Sequence, residues 1–65
     1  MNVFTEYRKK NQLTQIELAE MLDLNQSMVS FLENGHRKLD PRKVKAVSKI
    51  TGIPKHELRP DLYEE

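Results

Sequence analysis

Apolar side chains along this chain recur at three- and four-residue spacing, interrupted by short polar stretches. In residues 2–11 Phe4 and Tyr7, with Val3 beside them, share one side, while Glu6, Arg8, Lys9 and Lys10 fall outside it or at its edge. Ile16, Ala19 and Leu22 (or Leu18 and Leu22) repeat the spacing, as do Leu24, Val29 and Leu32, and then Val44, Val47 and Ile50. Ile53 and Leu58 complete the set. A period near 3.6 throughout predicts an all-α chain, a compact bundle of about five short helices with those positions turned inward. Ala19 is the small residue that lets two steeply crossing helices approach closely.

Capping chemistry marks where the helices start. Thr14 can cap the N–H of Glu17 while Glu17 reaches back to Thr14, and Leu13 can meet Leu18, so a capping box with a hydrophobic staple opens the second helix. Asn25 with Leu24 and Val29 repeats the device, and Gly35 supplies a left-handed stop. The two motif helices therefore span about 14–22 and 25–34, joined by a turn too tight for an antiparallel pair. That arrangement is a helix-turn-helix. After the loop His36–Leu39, Asp40 caps a helix with Pro41 at its first position, Leu39 staples to Val44, and Gly52 ends it. Ile53 and Pro54 begin a last short helix through Leu58, ended before Pro60.

Once the inward positions of the second motif helix are assigned, Gln26, Ser27, Ser30, Phe31 and Asn34 remain outside. Amides and hydroxyls at the N-terminal end of a helix can read base edges in a major groove: Gln suits adenine and Ser pairs with several bases. Phe31, one turn after Ser27, can cover the methyl group of a thymine, or else packs against the fourth helix or a second subunit. The stretch Leu13–Gly35, LTQIELAEMLDLNQSMVSFLENG, resembles the helix-turn-helix of the phage lambda repressor and Cro-like (Xre-type) family, which shares an LTQ-x-ELA-x-x-L opening, a Q-S-x-V-S run and an E-N-G ending. The resemblance extends from Phe4 to Leu58. Asp23 stands at the turn position where that family usually has Gly, a place Asp tolerates because it visits the left-handed region. Phe31 stands where the family more often has a polar or basic residue. The ending HELRPDLY is similar to the terminus of a Cro-like and YdaS-like subgroup of phage-derived regulators.

The resemblance implies double-stranded DNA as the partner, with base reading by Gln26, Ser27, Ser30 and Phe31. It implies phosphate contacts from Gln15 and Asn34, with Asn25, Arg37 and Lys38 assisting, and a structural ion pair between Arg8 and Glu33 that locks the first helix to the reading helix. Two copies are expected on a palindromic site, paired through Ile53–Tyr63, because Leu62 and Tyr63 lie beyond the last helix; the alternative is that this tail folds back on its own domain.

Composition narrows the remaining options. The chain has 65 residues and a net charge of +1, which bounds it to a single domain over 1–65, with 60–65 as a tail and Glu64–Glu65 as a terminal charge pair. A chain of this length buries only ~60% of its unfolded surface, which leaves little room for an enclosed catalytic pocket. Charge is unevenly spread: Arg37, Lys38, Arg42, Lys43, Lys45 and Lys49, offset by Asp40 alone, could flank a groove or simply form a solvated face. Without cysteine there is no disulfide or thiolate site, and His36 and His56 lack partners at metal-ligand spacing, so neither metal nor cofactor is expected. No small-molecule ligand is evident. Glu17 and Glu20 sit on a solvated helix side, and no catalysis is expected. With no apolar run of membrane-spanning length and no signal-peptide shape, a cytoplasmic protein is expected. Three function classes remain: a DNA-binding regulator, most simply a Cro-like repressor; an antitoxin or restriction-control protein of the same fold with a protein partner; and an interaction module built on Phe31 and Met28 without a DNA role.

Overall fold

A computed structural model describes residues 2–64, and among these the chain forms five α-helices and no strand. They are α1 (Val3–Lys10), α2 (Gln15–Leu22), α3 (Gln26–Glu33), α4 (Val44–Thr51) and α5 (Lys55–Leu58), with a 3₁₀ turn at Pro41–Lys43 leading into α4. Glu65, half of the expected terminal charge pair, lies outside the described residues.

α1, α2, α3 and the 3₁₀ turn begin where a side chain satisfies one of the first N–H groups, whereas α4 and α5 have no side-chain cap. Asn2 accepts from the Phe4 N–H at 2.7 Å and its amide donates to the Leu32 carbonyl at 2.7 Å, so the cap of α1 also fastens it to the last turn of α3. Asp40 accepts from the Arg42 N–H at 2.9 Å with Pro41 at the first position, although the backbone tightens into a 3₁₀ turn before becoming α-helical at Val44. Gly35 (φ +74°) and Gly52 (φ +79°) take the left-handed geometry that ends α3 and α4. Gln12 adopts φ +57° after α1, a turn that the sequence pattern does not announce.

Phe4, Leu18, Ala19, Leu22, Val29, Leu32, Leu39, Val44, Val47 and Leu58 make the buried core, with Val3, Tyr7, Leu13, Leu24, Met28, Ile53 and Tyr63 packed against it. α2 crosses α3, α1 lies on α3, and α4 lies against α2 and α5. Ala19, 3% exposed, sits in this core as the small residue expected at a close crossing.

Of the two inward sets offered by α2 the one through Leu18 and Leu22 is buried and Ile16 turns outward, and in α4 Ile50 does not point inward as expected. Ile16 is 55% exposed and Ile50 is 47% exposed. At about 100° per residue, Leu18, Ala19 and Leu22 share one arc of α2 and leave Ile16 more than about 100° from its centre. In α4 the inward arc is Val44, Val47 and the half-buried Ser48 and Thr51, which rotates Ile50 away by a similar angle. The two polar members are satisfied locally: Thr51 Oγ1 donates to the Val47 carbonyl at 2.7 Å and Ser48 Oγ to the Ile53 carbonyl at 2.6 Å.

The segment after α5 folds back in part. Leu62 and Tyr63 N–H groups both donate to the Arg59 carbonyl, Tyr63 packs against the core, and Leu62 remains 50% exposed. Arg59 grips Asp61 with two bonds of 2.9 and 2.7 Å and donates to the Leu39 carbonyl at 2.6 Å.

Candidate nucleic-acid interface

The region between α2 and α3 is built from local chemistry. Thr14 Oγ1 accepts from the Glu17 N–H at 3.1 Å and the Glu17 carboxylate accepts from the Thr14 N–H at 2.8 Å, completing the capping box. α2 stops because Asp23 enters the left-handed region (φ 56°, ψ 44°), and the Leu24 N–H returns to the Ala19 carbonyl at 2.8 Å. Asn25 then caps α3, its Oδ1 accepting from the Met28 N–H at 2.8 Å. Two residues separate α2 from the cap of α3, which packs one side on α2 and presents the other to solvent.

That side is concave. Gln15, from the first turn of α2, joins Gln26, Ser27, Ser30 and Phe31 of α3 around a shallow depression of about 270 Å³. Gln26 and Ser27 are exposed at the N-terminal end of α3, and Phe31 is 38% exposed one turn further on. Asn34, the last residue of the face, donates from Nδ2 to Ser30 Oγ at 3.4 Å.

Behind the face, Glu33 ties α3 to α1. Its carboxylate accepts from Arg8 Nε at 2.8 Å and Nη2 at 3.0 Å and from the Thr5 hydroxyl at 3.0 Å, with its side chain only 6% exposed. The Arg8 guanidinium holds the Glu33 carboxyl below its usual range against the opposing effect of burial, helped by Thr5 and by the Gln15 amide. The pair thus orients the concave face through Gln15 as well as through α3.

The basic residues after α3 do not act as one group. Arg42 is drawn to Asp40 at 3.0 Å, Lys38 lies 3.5 Å from Asp61, and Lys43 Nζ donates to the Asp23 carbonyl at 3.4 Å. The Arg59 guanidinium holds Asp61 well below the usual carboxylate range, so this residue is charged opposite Lys38 at any moderate pH. Lys45 and Lys49 are exposed on α4.

A helix-turn-helix family model matches residues 5–58 of the chain. The chain belongs to the Cro/C1-type helix-turn-helix family. Members of this family are DNA-binding regulators. Comparison with curated proteins and with solved structures finds no match. Among the described residues no helix is long and apolar enough to cross a membrane.

For a helix-turn-helix protein the spatial grouping of the sequence candidates is informative. Gln15, Gln26, Ser27, Ser30 and Phe31 come together, Asn34 adjoins them through Ser30, and Arg8 meets Glu33 behind them. Asn25 spends its side-chain oxygen on the cap, leaving its amide group exposed. Lys38 stands apart beside Asp61. Two residues of the assembly carry no sequence signal: Asn2, which pins α1 to Leu32, and Arg59, which pins the loop at Leu39. The Asn2 position before an amphipathic run could have been read as a cap, but its bond to Leu32 joins residues 30 apart.

Proposed function

We propose that this chain is a sequence-specific transcriptional regulator, a Cro-like repressor of phage type, working in the cytoplasm as one helix-turn-helix domain per copy. It binds a palindromic operator in double-stranded DNA as a homodimer. The observation that carries this reading is the depression in which Gln26, Ser27, Ser30 and Phe31 of α3 converge with Gln15 of α2. Its lining of amides and hydroxyls beside one ring suits base edges, with α3 in the major groove and the T-methyl of a base pair under the phenyl ring of Phe31. Gln15 and Asn34 stand at either end and hold phosphates, assisted by the exposed amide of Asn25 and by the ammonium of Lys38.

One copy of a domain this small makes too few contacts for a regulator's affinity, so two copies bind half-sites about 34 Å apart, one helical turn, or a multiple of it. The pairing surface in this proposal is the C-terminal part from Ile53 to Tyr63, where Leu62 supplies an uncovered apolar side chain. Family membership tells against an interaction module without a DNA role. Selection of bound sequences from a random duplex pool, followed by mobility shifts at stepped salt, tests the reading. Enrichment of one palindromic sequence, bound with steep salt dependence, is the expected result. No enrichment above the input pool, or enrichment of an unpaired half-site alone, would overturn the operator and dimer assignments respectively.

A further inference from the structure

Of the cations that follow α3, Arg37 is held differently from its neighbours. Lys38, Arg42 and Lys43 each have a carboxylate or carbonyl within reach. Among the described residues the Arg37 guanidinium meets neither; it lies over the Phe31 ring, 5.4 Å from the centroid, with the His36 ring 6.3 Å from the same phenyl. The backbone reinforces this placement, since the His36 and Arg37 N–H groups both donate to the Phe31 carbonyl, at 2.9 and 3.3 Å. The start of the loop is therefore fastened back onto the last turn of α3, at the residue whose ring lines the concave face.

A guanidinium seated on an aromatic ring keeps its N–H groups available, because the attraction runs through the ring face. Phe31 itself lines the depression with Gln26, Ser27 and Ser30. The stack thus places a planar, five-donor fork at the edge of the surface assigned to base reading. A cation meant only for phosphate needs no such fixing.

We infer that Arg37 determines sequence specificity: seated on Phe31, it reads guanine O6 and N7 at the base pair next to the thymine whose methyl group Phe31 covers. The inference rests on the base-reading role of α3 proposed above. Arginine is the side chain that fits, since its fork matches two acceptors in one plane whereas lysine offers a single point charge. The sequence pattern grouped Arg37 with Lys38 as phosphate cations. The structure separates them, Lys38 toward Asp61 and Arg37 toward the ring.

The test compares wild-type protein with Arg37→Lys and Arg37→Gln, by selection from a random duplex pool and by titration of single-base variants of the selected site. Arg37→Lys keeps the charge, so the slope of log affinity against log salt stays that of the parent. Its preference for guanine at one position of each half-site falls roughly ten- to hundredfold. Phe31→Leu keeps an apolar side chain but removes the platform; it lowers the same preference, and the double variant loses less than the two single losses combined. Retention of the guanine preference in Arg37→Lys would overturn the inference, as would an equal weakening of selected and random duplex in Arg37→Gln. A wild-type protein that enriches no sequence would instead sink the base-reading role of α3, a result visible before any variant is made. Both Arg37 substitutions alter an exposed side chain and are expected to leave the melting temperature unchanged.

Discussion

Replacing Arg8 by Met removes the ion-pair partner of a carboxylate that is only 6% exposed and leaves the Thr5 hydroxyl and the Gln15 amide as its remaining side-chain donors. Stranding one member of a buried ion pair costs about 3–5 kcal/mol. The lower end applies because the Arg8 side chain is 21% exposed and water can enter the vacated side. A domain of this size is stable by only roughly 3–10 kcal/mol, so a loss of about 3 kcal/mol is a large share of the total. The melting temperature should fall by about 12–24 °C at pH 7. Arg8→Met together with Glu33→Leu removes both charges and should recover most of the loss, because the desolvation of two ions disappears with their attraction. The pH dependence has a definite sign. Folding lowers the Glu33 carboxyl below its unfolded value of about 4.3, so the stabilisation is complete above that pH and is lost as pH falls through the folded value. The gap between the urea midpoints of wild type and Arg8→Met, followed by circular dichroism from pH 7 down to pH 3, should therefore narrow toward the acid end. A gap at pH 7 equivalent to less than 1 kcal/mol, or a gap that does not narrow in acid, would refute this account of the pair.

Three further outcomes are expected. Gln26→Ala should cut affinity for the selected operator while leaving random duplex nearly unaffected, with about 1–3 kcal/mol at stake, whereas Asn34→Ala should weaken both alike; equal effects on the two DNAs from Gln26→Ala would remove it from the base-reading set. Phe31→Gln should cost about 1 kcal/mol of stability, since its ring is already 38% exposed, and should change the preferred base at one position per half-site. A much larger stability loss with unchanged base preference would make Phe31 a packing residue. Leu62→Glu should leave the thermal melt of the free protein intact and reduce cooperative binding to the two half-sites; unchanged concentration dependence in a mobility-shift titration would move the pairing surface elsewhere.

What could be read in the sequence was whatever is decided within about four residues. Thr14, Asn25 and Asp40 cap as expected, because each outcome depends on the bonding of one side chain to a backbone group close by, and Asp23 takes the left-handed turn because its own backbone tolerates that region. The outward phase of α3 was legible for the same reason once Val29 and Leu32 were fixed inward. The inward set of α2 stayed open and Ile50 was misplaced because several apolar residues on one short helix leave more than one choice of inward arc, and only the neighbouring helices select between them. The Arg8–Glu33 pair was legible through family resemblance alone, as its members are 25 residues apart. Asn2–Leu32 and Arg59–Leu39 join residues 30 and 20 apart through backbone carbonyls, which have no sequence signature at all. The separation of Arg37 from Lys38 likewise depends on where Phe31 and Asp61 lie in space.

The Arg59 contact bears on where this domain ends. Its last buried apolar side chain is Leu58, and the family match also stops there. A fragment cut at that point would retain every fully buried side chain and lose Tyr63, which packs against them. It would lose the guanidinium that engages the Leu39 carbonyl and the carboxylate that faces Lys38. Both targets, Leu39 and Lys38, lie on the segment joining α3 to α4, so the shortened chain would lose the contacts that hold its basic loop. The contacts that shape this loop therefore reach at least to Asp61, three residues past the last fully buried side chain.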